Sequence, residues 1–257
     1  MKLTNVLPLR GGGILSLVGA GGKTTTLLTL AEELLAAGSK VLITTTTKLS
    51  TDMQYNNKII LVRDEHEFFQ WISQNQGTLA ILANNVIIEE KKIVGIPPLW
   101  LEKYEKLLRE GWQTILVEAD GSRGKSLKAN LDHEPQIPGC SDIILVIIGM
   151  DILGKPLNHQ FAHRAELISR ISGTRINDII DTFTIIKLLE DSAGLLKGIA
   201  KNQHCFLLLN KWDVNHSEHY DQLFELIAES KNISLDGIIV TQVEDKNHPV
   251  KKVILDV

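Results

Sequence analysis

Apolar positions along the chain follow two alternating periods. Short apolar runs of strand length fall at residues 14–18, 40–43, 78–83, 114–117, 142–148, 204–209 and 237–240, and the unbroken run at 142–148 reads as a central strand. Between them the period becomes helical. Leu27, Leu28, Ala31, Leu34 and Leu35 predict a helix over 24–37, with Gly38 standing where a left-handed cap is wanted. Further helices are predicted over 64–73, over 99–110 with Leu101, Tyr104, Leu107 and Leu108 inward, and over 218–230 with Leu223, Leu226 and Ile227 on one side. Strands alternating with helices predict an α/β fold with a mostly parallel sheet flanked by helices. Two insertions interrupt the alternation. Residues 85–88 and 93–96 flank Glu89-Glu90-Lys91-Lys92 and predict a β-hairpin over about 85–97, stopped by Pro97-Pro98. Residues 153–203 carry helical patterns at 165–171, 178–189 and 191–200, a stretch longer than an ordinary crossover, which predicts a helical insertion over the mouth of a site. Residues 252–257 read as a last edge strand, and the whole of 1–257 as a single domain with these two insertions.

Composition narrows the class of function. With 257 residues, 44% of them hydrophobic, there is material for a sizeable core; the net charge of −4, with no block of Lys and Arg, argues against nucleic acid as a partner. No apolar run is long enough to cross a bilayer, and the N-terminus lacks a signal-peptide core, so no membrane association and a cytoplasmic location are expected. Cys140 and Cys205 have neither disulfide-framework nor zinc spacing, and both thiols are expected to be buried.

Chemistry concentrates at the carboxyl ends of the predicted strands, where open α/β sheets bind ligands. After the first strand come Gly19, Ala20, Gly21, Gly22, Lys23, Thr24 and Thr25, opening a helix. Glycines let backbone N–H groups close on a phosphate, Lys23 adds a point charge, and the Thr24 hydroxyl can ligate Mg2+. The full phosphate-loop pattern wants a glycine where Leu17 stands, so this is a shortened G-x-x-G-K-T form, and the single domain is expected to be P-loop NTPase-like. The second strand runs into Thr44–Lys48, of which Thr46, Thr47 and Lys48 are the candidate functional members, Lys48 as a catalytic cation beside Lys23. The strand at 114–117 delivers Glu118 and Asp120, on one face two residues apart; Asp120 is the first candidate for the second Mg2+ partner and a catalytic group, Glu118 the second. The loop that follows carries Arg123, Lys125 and Lys128, candidates for phosphates or an anionic second substrate or else a solvated basic loop. His133 and Glu134 precede Pro135 in a rigid turn; Asp151 ends the strand at 142–148; His163 and Arg164 open a helix and could bind an anion there. The strand at 204–209 ends in Asn210-Lys211-Trp212-Asp213. In an N-K-x-D motif the Asp carboxylate accepts from guanine N1–H and its amine, Asn fixes the loop and meets the base edge, and the Lys stem covers the ring, which favours GTP over ATP.

Taken together, residues 18–24, 43–48, 118–125, 133–135, 149–151 and 163–164 resemble the family of selenium-dependent hydroxylase accessory proteins known as YqeC, over nearly the whole chain. The chain departs from that pattern in one place, Asn130 standing where a proline is expected. The resemblance implies a role in maturing molybdenum hydroxylases that need labile selenium, with the hydroxylase or its cofactor as a partner. Three activities remain open on the residues: a Mg2+-dependent nucleoside triphosphatase, an ATP-dependent ligase or kinase acting on an anionic small molecule, and a non-catalytic nucleotide switch. A homo-oligomer is compatible with each.

Overall fold

A computed structural model describes all residues except 10, 51–58, 76, 90, 215–216 and 256–257. In chain order β1 (Gly13–Gly19) turns into α1 (Lys23–Ala36), followed by β2 (Val41–Thr45), β3 (Lys48–Ser50), β4 (Ile59–Leu61), α2 (Glu65–Gln74) and β5 (Leu79–Ala83). The hairpin β6 (Asn85–Ile87) and β7 (Lys92–Val94) leads to α3 (Pro98–Lys103), α4 (Glu105–Gly111), β8 (Thr114–Glu118), β9 (Leu127–Lys128) and β10 (Ile143–Gly149). The remainder is β11 (Ala162–His163), α5 (Ala165–Ser172), α6 (Thr182–Glu190), β12 (His204–Asn210), α7 (Ser217–Glu229), β13 (Gly237–Thr241) and β14 (Val250–Leu255).

Nine strands form one sheet in the order β14-β13-β12-β10-β1-β8-β2-β5-β4, parallel at every pairing except β13 with β14. Alternate residues of each central strand feed opposite faces. Ile14, Val18, Ile115, Val117, Ile144 and Val146 face one core, while Leu15, Leu17, Leu116, Leu145 and Ile147 face the other with Leu27, Leu30 and Leu34 of α1. Both faces being covered is why these strands read as continuous apolar runs. Register then sets the site: Leu17 lies opposite Glu118, Thr45 opposite Glu118, and Gly149 opposite Asn210, so the loops after β1, β2, β8, β10 and β12 leave one edge of the sheet together.

Two expectations change, at 99–110 and 191–200, and two strand pairings are added to the expected fold. The helix predicted over 99–110 is two, α3 and α4, broken at Tyr104 (φ −109°, ψ 18°). The Tyr104 ring packs on Phe68 and Phe69 of α2 and its hydroxyl donates to Glu65, a tertiary demand that local periodicity does not carry. Of the threonine run, Thr44 and Thr45 extend β2, the chain bends at Thr46–Thr47, and β3 joins the hairpin as a third strand, Lys48 opposite Val94. In the insertion α5 and α6 form, with α6 closed by an Asp181–Thr184 capping box, but 191–200 is a succession of turns. There the Gly194 carbonyl accepts from Asn130, and Lys197 reaches the Leu131 and Asp132 carbonyls, so the segment is tied to the loop below it. Finally, β11 pairs with β9, a two-residue ladder too short to show a period. The expected edge strand is β14, its last two expected residues, 256 and 257, lying outside the described residues. Among the described residues no helix is long and apolar enough to cross a membrane.

Candidate functional site

The loop between β1 and α1 is held against the ends of two other strands. A Cβ on Gly21 would stand 2.3 Å from the Gly149 backbone nitrogen, and one on Gly22 (φ 131°) 2.3 Å from the Asn210 side-chain nitrogen, so both positions require glycine. Asn210 donates to the Gly21 carbonyl at 2.9 Å, and its own oxygen accepts from the Thr241 hydroxyl and the Val243 N–H, each at 3.1 Å. That locks the loop. Helix α1 begins with no side-chain cap, and among the described residues no acceptor meets the N–H groups of Gly21, Gly22, Lys23 or Thr24. Uncapped donors at the positive end of a fourteen-residue helix make an anion cradle.

Around the cradle lies a cleft of about 810 Å3. Gly21, Gly22, Lys23, Thr24 and Thr25 line it together with Thr47, Lys48, Glu118 and Lys211. Arg123, Lys125, His163 and Arg164 continue it away from the loop. Its charged lining is mostly cationic in a chain of net charge −4, which suits a polyanion.

The two acids of β8 and its loop are placed differently. The Thr24 hydroxyl donates to Glu118 at 3.0 Å, within the cleft. Two oxygens bound cis to one Mg2+ at about 2.1 Å stand about 3 Å apart, so this hydroxyl–carboxylate pair fits that ion. Burial pushes the Glu118 carboxyl above its usual range and the neighbouring Asp120 adds to this, with Lys23 and the Thr24 bond pulling the other way. Asp120 is fully buried one layer below. It accepts from the Gly19 N–H at 2.8 Å and pairs with Lys23 at 3.2 Å and Lys128 at 2.9 Å. Lys23 also donates to the Gly19 carbonyl at 2.6 Å. The ionic chain continues from Lys128 to Glu134 at 3.2 Å, and from Glu134 to both guanidinium nitrogens of Arg164 at 2.5 and 2.8 Å. Burial alone would raise the Glu134 carboxyl, but Arg164 and Lys128 hold it down to about 2.

The other anticipated residues divide. Thr46 is buried and donates to the Gln136 carbonyl rather than facing the cleft, whereas Thr47 and Lys48 line it. Lys125 lines it while donating to the Gln160 carbonyl. His133 is exposed and outside the cleft; its neighbour Glu134 is inside. Burial, with Arg164, Lys128 and Arg123 nearby, holds His163 at about 4, a neutral imidazole at pH 7. Lys211 bonds Ser126 at 2.8 Å and Asp151 at 2.7 Å, so Asp151 orients that lysine. Asp213 stands exposed on the short turn Trp212–Val214, beyond the lining of the cleft. Lys128 is not a phosphate contact: it is wholly buried between two carboxylates. Ser126 and Glu244 also touch this region and carry no motif that would have marked them. Arg123, Arg164 and Lys211 share a left-handed backbone (φ 51°, 65° and 66°), a strain that gathers at functional sites and has no sequence signature outside glycine.

A profile described as YqeC protein matches residues 15–166. The uncharacterized protein YqeC of Escherichia coli (strain K12) is 30% identical over 159 residues, 62% of this chain and 59% of the relative, so the match spans under two thirds of that protein. Two crystal structures of FtsY from Mycoplasma mycoides are also similar, at 16% identity with a TM-score of 0.40 and at 14% with 0.32, covering 95% and 91% of this chain and 63% and 53% of theirs.

Proposed function

This chain belongs to the YqeC family, and we propose that it is a Mg2+-dependent purine-nucleotide-binding accessory protein that hydrolyses GTP. One observation carries the reading. The uncapped N–H groups of Gly21–Thr24, the Lys23 ammonium and the Thr24–Glu118 pair meet in a single cationic cleft. Those are the donors, charge and metal oxygens that a triphosphate needs.

In the resting arrangement Lys23 rests on Asp120 and the Gly19 carbonyl. Phosphate oxygens on the cradle would draw its ammonium upward, and Asp120 keeps Lys128 and the Gly19 N–H as partners, so the turn stays in place when the lysine leaves. Mg2+ bound by Thr24 and Glu118 would neutralise charge on the terminal phosphates. Lys23 and Lys48 then face the charge that builds up in phosphoryl transfer. Asp213, three residues after the Asn210 that clamps the phosphate loop, is the carboxylate that would accept from the guanine edge. In the family setting, turnover would power a step in maturing a molybdenum hydroxylase.

The test is a titration of the full chain with a fluorescent GTP analogue and Mg2+. Lys23→Ala should weaken binding at least a hundredfold with an unchanged circular-dichroism spectrum; retained affinity would refute the phosphate-loop assignment. Turnover stimulated by an apo-hydroxylase separates a hydrolase from a passive switch. A second reading, a kinase or ligase, draws on one feature: the cleft runs on past the loop to Arg123, His163 and Arg164, leaving room for an acceptor. A preference for ATP, with transfer to a small acid, would favour it.

A further inference from the structure

Beyond Arg123, His163 and Arg164 the cleft opens into a second hollow of about 500 Å3, walled by Leu131, Leu167 and Arg170. Its charges are unevenly satisfied. Arg164 is committed to Glu134 and to the Ala129 carbonyl at 2.7 Å, and the wall's acid, Glu166, pairs with His159 at 2.6 Å. Arg123 and Arg170 are exposed, and among the described residues neither guanidinium has a hydrogen-bonding or ionic partner. Two exposed guanidinium groups without a counter-charge on one concave surface favour an anion there. Arg123 is also held in a left-handed backbone at the boundary between the two cavities, a conformation costing about 1 kcal/mol or more for a residue with a Cβ. The hollow is not polar throughout: Leu131 is 41% exposed against it, with Leu167 beside it. His163, neutral at pH 7, offers a hydrogen bond there without adding charge.

We propose that this hollow binds a small oxyanion, a phosphate or carboxylate carried on an apolar body, with Arg123 and Arg170 gripping the anionic group and Leu131 and Leu167 covering the body. The proposal rests on the nucleotide reading in one respect: the ligand is the second substrate of that cleft, meeting it at Arg123. Guanidinium forks match either oxyanion bidentately, and an apolar flank selects an organic acid or ester over the inorganic ion.

Phenyl phosphate and benzoate, titrated calorimetrically into the full chain, test it, with inorganic phosphate as the reference. At least one organic probe should bind more tightly than inorganic phosphate, and Arg170→Gln, an exposed position outside the nucleotide cleft, should weaken it at least tenfold. Lys23→Ala should leave that binding within twofold. Absence of binding by both probes, no loss in Arg170→Gln, or an equal loss in Lys23→Ala would overturn the proposal, the last by moving the anion into the phosphate loop. Failure of GTP to bind the wild-type chain would refute the nucleotide reading alone and leave these three outcomes legible.

Discussion

Replacing Lys128 by methionine interrogates the buried ionic chain directly. The side chain is wholly buried and its ammonium lies 2.9 Å from Asp120 and 3.2 Å from Glu134. Methionine keeps an apolar stem of the same reach to Cε and removes the ammonium with its charge and its two hydrogen bonds. Breaking a buried pair from one side costs about 3–5 kcal/mol, because the fully buried Asp120 left behind has no water to turn to. An independent bound comes from Glu134, whose carboxyl sits at about 2 against an ordinary 4.5. At 1.36 kcal/mol per unit that shift is worth at most about 3 kcal/mol, shared between Arg164 and Lys128 and reduced by partial solvent access. For a chain of this size about 2–4 °C of melting temperature accompanies each kcal/mol, so Lys128→Met should melt roughly 6–20 °C lower at pH 7. The pH dependence supplies a second signature. Glu134 has a depressed folded pKa, so its contribution is complete above about 4.5 and is lost as pH falls toward 2. A protonated Glu134 no longer needs the lysine, and the gap between wild type and variant should narrow over that window. Scanning calorimetry at several pH values reads both. A loss under about 2 °C at pH 7, or a gap independent of pH, would refute the account of Lys128 as the centre of the chain.

Other expectations can be checked on the same protein. Glu118→Gln should abolish the Mg2+ dependence of nucleotide affinity while retaining metal-free binding within about threefold, since it removes the carboxylate beside Thr24 and leaves the cradle; an undiminished Mg2+ effect in a titration with and without EDTA would count against it. Asp213→Asn should narrow the preference for GTP over ATP at least tenfold in competition binding, and an unaltered ratio would remove guanine selectivity from this motif. Gly22→Ala should lower both nucleotide affinity and melting temperature, because the added methyl lies 2.3 Å from Asn210 on a backbone of φ 131°; wild-type values for both would mean the loop is not clamped as described.

What the linear order of residues determined was the scaffold and its richest edge. Apolar runs and helical periods are local properties, and so the central strands, α1 and the hairpin could be read from them, as could the phosphate-loop sequence itself, whose glycines report a backbone demand at their own positions. The roles of the acids were another matter. Asp120 and Glu118 are two residues apart and alike on paper; only the packing of β1 beside β8 sends one beneath the loop onto Lys23 and Lys128 and leaves the other facing Thr24. Likewise His133 and Glu134 are neighbours in a turn, and the arrival of Arg164 from the insertion decides that the glutamate is the buried partner. Breaks at Tyr104 and in the 191–200 turns have the same origin. The left-handed backbone at Arg123, Arg164 and Lys211 and the pairing of buried charges depend on what lies across space, with partners as far apart in sequence as Lys23 and Asp120. Periodicity sees a residue's own turn or strand; desolvation and Coulomb attraction see its neighbours, and those are set only when the chain is folded.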